Sequence, residues 1–188
     1  MTDLVTRRLR LRQWTAADLE PFAALNADPE VMDLMGGCLT RAESDAFAGK
    51  AESQIGQRGW GVWAVEARDG GEFIGCVGLA VASFEAHFTP CIELHWRLKR
   101  SSWGQGFATE AASECLRFAF ERLDPSEVVA FTVPANSRSR AVMERLGMHH
   151  DGAEDFDHPR LPAGHPLRRH VLYRLRREEW ARTAARVL

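Results

Sequence analysis

The sequence predicts an α/β fold with a mixed, mostly antiparallel sheet. Three observations carry that prediction. The first hundred residues read as strand, helix, helix and then three strands in succession. The stretch "RSSWGQGFATEAA", Arg100 to Ala112, is a glycine loop that runs straight into a long helix. Strand patterns return three times after that helix, giving about seven strands and four helices in mixed order.

The elements follow in chain order. In "TRRLRLRQW", Arg8, Arg10 and Arg12 alternate with Leu9 and Leu11, the period of a half-exposed strand. Thr15, with Asp18 three residues on, opens a first helix. Thr40-Arg41-Ala42-Glu43 is a capping box that starts a second helix running to about Arg58, where Gly59 can end it. "WGVWAVEA" and "EFIGCVGLAVA" flank Asp69-Gly70-Gly71, a hairpin signal. "CIELHWRL" is a third strand of this group, Cys91 to Leu98. Ala108, Ala111, Ala112, Cys115, Ala119 and Leu123 then recur at three- and four-residue steps, one face of a helix ending near Asp124-Pro125. "EVVAFTV" reads as a buried strand, and Asn136 caps a helix ending at Leu146-Gly147. "HHDGAEDF" reads as a strand, Pro159 to Pro166 as a loop, "RHVLYRL" as a strand, and "REEWARTAARVL" as a short amphipathic tail.

Composition bounds the function. The 188 residues, 45% apolar and 27% charged, suit one soluble globular domain, residues 1–188. A formal charge of −2 provides no global field for nucleic acid. The charged N-terminus is not expected to be a signal peptide, and no segment approaches the ~20 apolar residues of a membrane span. Cys38, Cys76, Cys91 and Cys115 fit neither a zinc site nor a disulfide framework, so small buried side chains in a reduced, cytoplasmic protein are expected. His149-His150-Asp151 lacks a third well-spaced histidine, and no metal is expected.

The glycine loop raises the functional question. Gly104 and Gly106 stand where a helix begins, and helix starts carry unpaired N–H groups and partial positive charge. Glycine lets backbone approach an anion there, commonly a phosphate. On this loop alone a tight strand–helix turn is the competing reading. A dinucleotide fingerprint fits poorly, because Thr109 stands in place of the third glycine and Glu127 opens the next strand rather than ending it. A P-loop would need Gly-Lys-Ser/Thr, which is absent.

"CIELHWRLKRSSWGQGFATEAA" followed by "VPANSRSRAVMERLGM" resembles the GNAT superfamily of acyl-CoA N-acyltransferases, and within it the RimJ/RimL-type branch. That branch includes N-terminal acetyltransferases of ribosomal proteins. The resemblance extends from "TRRLRLRQW" to "HVLYRL". It implies a sheet splayed between its fourth and fifth strands, acetyl-CoA as co-substrate and no metal. It places the pyrophosphate on Trp103, Gly104, Gln105, Gly106, Phe107 and Ala108. It places the thioester and pantetheine on the backbone of Trp96, Arg97 and Leu98, with Asn136 and Ser139 as further cofactor contacts. Two positions depart from the family pattern. Ser101, beside Arg100, stands where Gln or Arg usually opens the loop. Met143 stands where a tyrosine often protonates the departing thiolate, and the only tyrosine is Tyr173.

Three side chains become candidates for proton transfer. Ser139 matches a serine proposed as thiolate acid in the RimL-type branch; a serine is also common in a helix first turn. Glu93 matches a glutamate that acts through water as base in parts of the superfamily; an ion pair with a nearby arginine is the structural alternative. His158, in "FDHP", lies where the RimL-type branch carries a catalytic glutamate, and its ordinary pKa near ~6.5 suits a base. Asp155 and Asp157 are substitutes for it. Met35, Trp60, Trp63 and Phe156 are candidates to line the acceptor pocket, with core packing the first reading for each tryptophan.

The expected activity is acetyl transfer from acetyl-CoA to a primary amine, first a protein α-amine. The alternatives are a small-molecule amine (amino acid, polyamine or antibiotic) and a non-catalytic acyl-CoA-binding module. No nucleic-acid or membrane partner is expected, and a homodimer is left open.

Overall fold

A computed structural model describes residues 3–184. Its elements are β1 (Leu4–Val5), β2 (Leu9–Arg12), α1 (Leu19–Asn26), α2 (Pro29–Met32), α3 (Arg41–Arg58), β3 (Val62–Ala67), β4 (Phe73–Val81), β5 (Ile92–Leu98), α4 (Phe107–Phe118), β6 (Glu127–Thr132), α5 (Ser137–Arg145), β7 (His149–His150), β8 (Phe156–Asp157), β9 (Arg169–Arg176) and α6 (Arg177–Ala184). Among the described residues the α/β class and the mixed sheet hold, with nine strands rather than about seven. The surplus is short: β1 has two residues, and "HHDGAEDF" divides into β7 and β8 around a 3-10 turn at Gly152–Glu154. Likewise α2 is a single turn, and α6 begins the C-terminal tail, whose residues 185–188 lie outside the described residues.

The chain forms two compact units. Among the described residues the first comprises 3–79 and 95–115. In it β1, β2, β3 and β4 make an antiparallel meander, with Leu4 opposite Leu11, Leu9 opposite Ala67 and Val62 opposite Gly78. The alternation in β2 sorts its side chains as predicted. Leu9 and Leu11 are fully buried, and Arg10 is exposed. Each such buried leucine contributes about 1.5–3 kcal/mol. Arg12 bonds both oxygens of Asp18 (2.7 and 2.9 Å) and reaches Glu66 (2.7 Å). Asp18 also accepts from the Thr15 N–H (2.8 Å), so the predicted cap opens a 3-10 turn at Ala16–Asp18 before α1. The capping box of α3 is present: Thr40 N–H donates to Glu43, and Glu43 N–H donates back to Thr40 Oγ1. Gly59 ends that helix at φ +77°. A Cβ on Gly78 would lie 2.1 Å from the Gly61 carbonyl, so only glycine permits this strand approach.

Among the described residues the second unit comprises 80–94 and 116–184. β9 is its spine: it pairs antiparallel with β6 from Glu127↔Arg176 to Thr132↔Val171, and with β7 and β8. β5 and β6 pair in parallel at a single register position, Glu93↔Val129, as the expected opening between them requires. The core gathers Phe88, Val129, Phe156 and Leu172. Cys76 and Cys115 are buried as expected, Cys91 is half-buried, and Cys38 is exposed beside Gly36-Gly37, so the expectation of four buried cysteines is corrected.

Candidate functional site

In the first unit the glycine loop is a formed cradle. Gly104 (φ +72°) and Gly106 (φ +79°) both adopt the left-handed conformation that glycine reaches without strain. The loop is tied from within. Trp103 Nε1 donates to the Leu98 carbonyl (2.9 Å), and Gln105 Nε2 donates to the Ser101 carbonyl (2.8 Å). The Glu110 N–H bonds the Gly106 carbonyl (3.0 Å), so Phe107 to Thr109 are the helix-start residues whose N–H groups lack an intrahelical partner. Nothing lies within 4 Å of a Cβ placed on Gly104. Free N–H groups, positive-φ glycines and open space beside them fit a pyrophosphate.

β5 carries three side chains whose ionisation is perturbed by burial. Glu93, His95 and Arg97 alternate onto one face of the strand, and Trp96 points to the other. Glu93 is half-buried, and burial pushes its carboxyl up to about 7. It makes no side-chain hydrogen bond or ion pair among the described residues, so the arginine partner considered from sequence is not there. Burial, with the charge of Arg97 second, pushes His95 down to about 3, leaving it neutral.

Sequence reasoning assigned Arg97 only its backbone, yet its side chain is the stranger feature. It is 8% exposed and has no carboxylate partner among the described residues. Nη1 donates to Asn26 Oδ1 (2.6 Å), Asn26 Nδ2 donates to Ser44 Oγ (2.8 Å), and the guanidinium lies 5.2 Å from the Phe47 ring. No local pattern signals this chain, because its members sit on three separate elements. Burial lowers the Arg97 pKa, and Nε has no hydrogen-bond partner. Behind the strand, a Cβ on Gly75 would meet the Arg97 carbonyl at 2.2 Å.

The remaining acceptor candidates of this unit separate. Met35 is 39% exposed on the short turn Asp33–Met35. Trp60 is partly buried beneath the Arg58 guanidinium, 5.9 Å from its ring. Trp63 is fully buried in β3, where Val62 to Val65 are buried on both faces of the strand, so the core reading of this tryptophan holds and the pocket-lining one is corrected.

In the second unit Asn136 is the N-cap of α5. Its Oδ1 accepts from the Ser139 N–H (3.1 Å), and its Nδ2 donates to Thr132 Oγ1 (3.1 Å). The amide expected to contact cofactor is therefore already engaged in shaping the helix start. The Ser139 hydroxyl has no hydrogen-bond partner among the described residues. Met143 is buried. Tyr173 is also buried, its hydroxyl donating to Glu144 (3.0 Å) and accepting from Arg140 Nε (3.3 Å), so it is committed to packing α5 on β9.

His158 is placed less favourably than its sequence position suggests. Its Nδ1 accepts from the Arg160 N–H (3.3 Å), which occupies one of its nitrogens. Burial, then His170 and Arg160, hold its pKa below the ordinary value. Its ring packs 4.6 Å from Phe84 and 5.2 Å from His170. Phe156 is 7% exposed at the centre of that aromatic cluster, and it too is corrected from pocket wall to core. The substitute carboxylates are paired, Asp155 with His150 (2.8 Å) and Asp157 with Arg168 (3.4 Å).

Comparison with known proteins places this arrangement. Residues 8–149 match the family described as Acetyltransferase (GNAT) domain. FsC-acetyl coenzyme A-N(2)-transacetylase of Aspergillus fumigatus is 33% identical over 190 residues, covering 95% of this chain and 78% of that protein. The crystal structure of an acetyltransferase from Agrobacterium tumefaciens is 28% identical with a TM-score of 0.74, covering 93% of this chain and 94% of that one. RimL, the ribosomal L7/L12 alpha-N-protein acetyltransferase in complex with coenzyme A, superposes with a TM-score of 0.75 over 95% of this chain and 99% of its own. At 15% identity that likeness speaks to the fold. No described helix is long and apolar enough to cross a membrane.

Proposed function

Because the chain belongs to the acetyltransferase (GNAT) family, and is an acyltransferase by that membership, we propose that it moves an acetyl group from acetyl-CoA to a primary amine, the N-terminal α-amine of a protein. Residues 1–188 act in this reading as one catalytic domain. The observation that carries it is Glu93, an unpaired carboxyl whose pKa of about 7 matches a base working at neutral pH. An α-amine, with pKa ~7.7–8.0, is partly neutral there, whereas a lysine amine near ~10.4 would ask for a stronger base.

Bound acetyl-CoA supplies an acetyl thioester. The loop from Trp103 to Ala108 holds its pyrophosphate through backbone N–H groups. The backbone of Trp96, Arg97 and Leu98 aligns the thioester end, as in the family. Glu93 accepts the proton of the amine, directly or through one water. Ser139 Oγ, free of other partners, donates a hydrogen bond to the sulfur as negative charge develops there. His158 is the weaker base candidate, because Arg160 already occupies Nδ1 and burial disfavours its cation.

A small-molecule amine is the second reading, favoured by the relative at 33% identity whose name describes an N(2)-transacetylase. A panel of peptides with free N-termini, amino acids and polyamines, assayed for thiol release from acetyl-CoA, separates the two. Turnover confined to small amines would overturn the protein α-amine, and no turnover with any amine would overturn the reaction.

A further inference from the structure

Arg8 is almost a hundred residues before the glycine loop, yet its side chain is part of it. Arg8 Nη1 donates to the Gln105 carbonyl (2.9 Å). Its guanidinium lies 4.5 Å over the Phe107 ring. A Cβ on Gly106 would sit 3.5 Å from Nη2. One cation therefore contacts the loop on both sides of Gly106, at Gln105 and at Phe107. It is held in turn by Glu110, in the first turn of α4, which accepts from Arg8 N–H (2.8 Å), Arg8 Nε (2.6 Å) and Thr6 Oγ1 (2.6 Å).

The geometry has a direct consequence for the backbone. The Gln105 carbonyl and the Gly106 N–H belong to one trans peptide plane, and they point in opposite directions. Fixing the carbonyl toward Arg8 turns the N–H away from it. Glycine places little restraint on the orientation of that plane, so something outside the loop must set it. The ion pair also neutralises Glu110, which would otherwise put a negative charge one turn from an anion site.

We propose that Arg8 is a positioning residue for the acetyl-CoA pyrophosphate, locking the Gln105–Gly106 peptide with its N–H presented to phosphate. This rests on the acetyl-CoA reading of the loop. The fork of the guanidinium is what matters, since Nε and Nη1 bind different partners at once.

The test is coenzyme A titration of wild type, Arg8→Lys, Arg8→Ala and Arg8→Ala/Glu110→Gln by calorimetry. Arg8→Lys and Arg8→Ala are expected to weaken coenzyme A by about 10-fold or more, the scale of a charge-assisted hydrogen bond. In turnover, kcat/KM for acetyl-CoA should fall by about the same factor relative to kcat/KM for S-acetylpantetheine, which lacks the pyrophosphate. Equal losses with both donors would mean general damage to the fold and would overturn the proposal. So would an Arg8→Lys variant that binds coenzyme A as wild type does, because charge alone would then suffice. Recovery of affinity in the double variant would show that neutralising Glu110, not orienting the peptide, is the role. If wild type itself fails to bind coenzyme A, the acetyl-CoA reading falls and this one falls with it; if wild type binds and the variants equal it, only this one falls.

Discussion

Glu93→Gln should lose most activity and gain stability, and both effects come from the same burial. The carboxyl ionises at about 7 in the folded protein against an ordinary 4.5. A group whose folded pKa is raised binds its proton more tightly when folded. Folding therefore loses stability as pH rises from about 4.5 to 7, and the full cost is present above 7. At about 1.4 kcal/mol per tenfold, the ceiling is about 3 kcal/mol. Glu93 keeps some solvent contact, which brings the expected gain nearer half of that, or about 3–6 °C in Tm at pH 8. At pH 4 the two proteins should melt alike. For activity, a base of pKa 7 is about one-tenth ionised at pH 6, so wild-type kcat/KM, with acceptor expressed as free amine, should fall about tenfold there. Glu93→Gln should lose about 10²–10⁴ at pH 8 and lack that limb. Thermal melts at both pH values and a pH–rate profile decide it. If the limb near 7 survives in Glu93→Gln, or passes to His158 so that His158→Ala abolishes it, the base has been misassigned. A Tm difference that does not change between pH 4 and pH 8 would refute the burial argument itself.

Gly104→Val forces a branched side chain into φ +72° beside open space where phosphate is expected, and calorimetry should show coenzyme A affinity reduced about 10-fold or more. Ser139→Ala should lower kcat about 10- to 100-fold, more than it raises KM for acetyl-CoA, because a hydroxyl is a modest acid whose bond strengthens as charge grows on sulfur. Steady-state kinetics at saturating amine test that. Gly78→Ala should destabilise by about 3 kcal/mol or more, read by urea denaturation, since its methyl would lie 2.1 Å from the Gly61 carbonyl and must push β3 and β4 apart.

Whatever depended on a few neighbouring residues was legible in the sequence. Leu9 and Leu11 announced a one-faced strand because strand side chains alternate. Thr40 and Glu43 announced a helix start because their bonds close within three residues. Gly104 and Gly106 announced a left-handed loop before α4 because φ above zero is a property of single residues. The paired glycine and Asn136 motifs carried the family. Where local pattern met short pieces it blurred: β7 and β8 were one segment until the turn at Gly152–Glu154 divided them. Trp63 and Phe156 were offered to the substrate because aromatic rings suit a pocket and a core equally, and only burial tells the two apart.

Tertiary structure alone decided the charges. Glu93 is a carboxylate like any other until its surroundings strip away much of its water and leave it unpaired, and a pKa is a property of surroundings. Arg97, Asn26 and Ser44 form a chain across β5, α1 and α3. Arg8 and Glu110 stand 102 residues apart. A side-chain hydrogen bond reaches only about 3 Å and has no memory of sequence separation. Sequence therefore determined which backbone turns through positive φ at the start of α4, and the fold determined what braces it and which carboxyl is left buried without a partner.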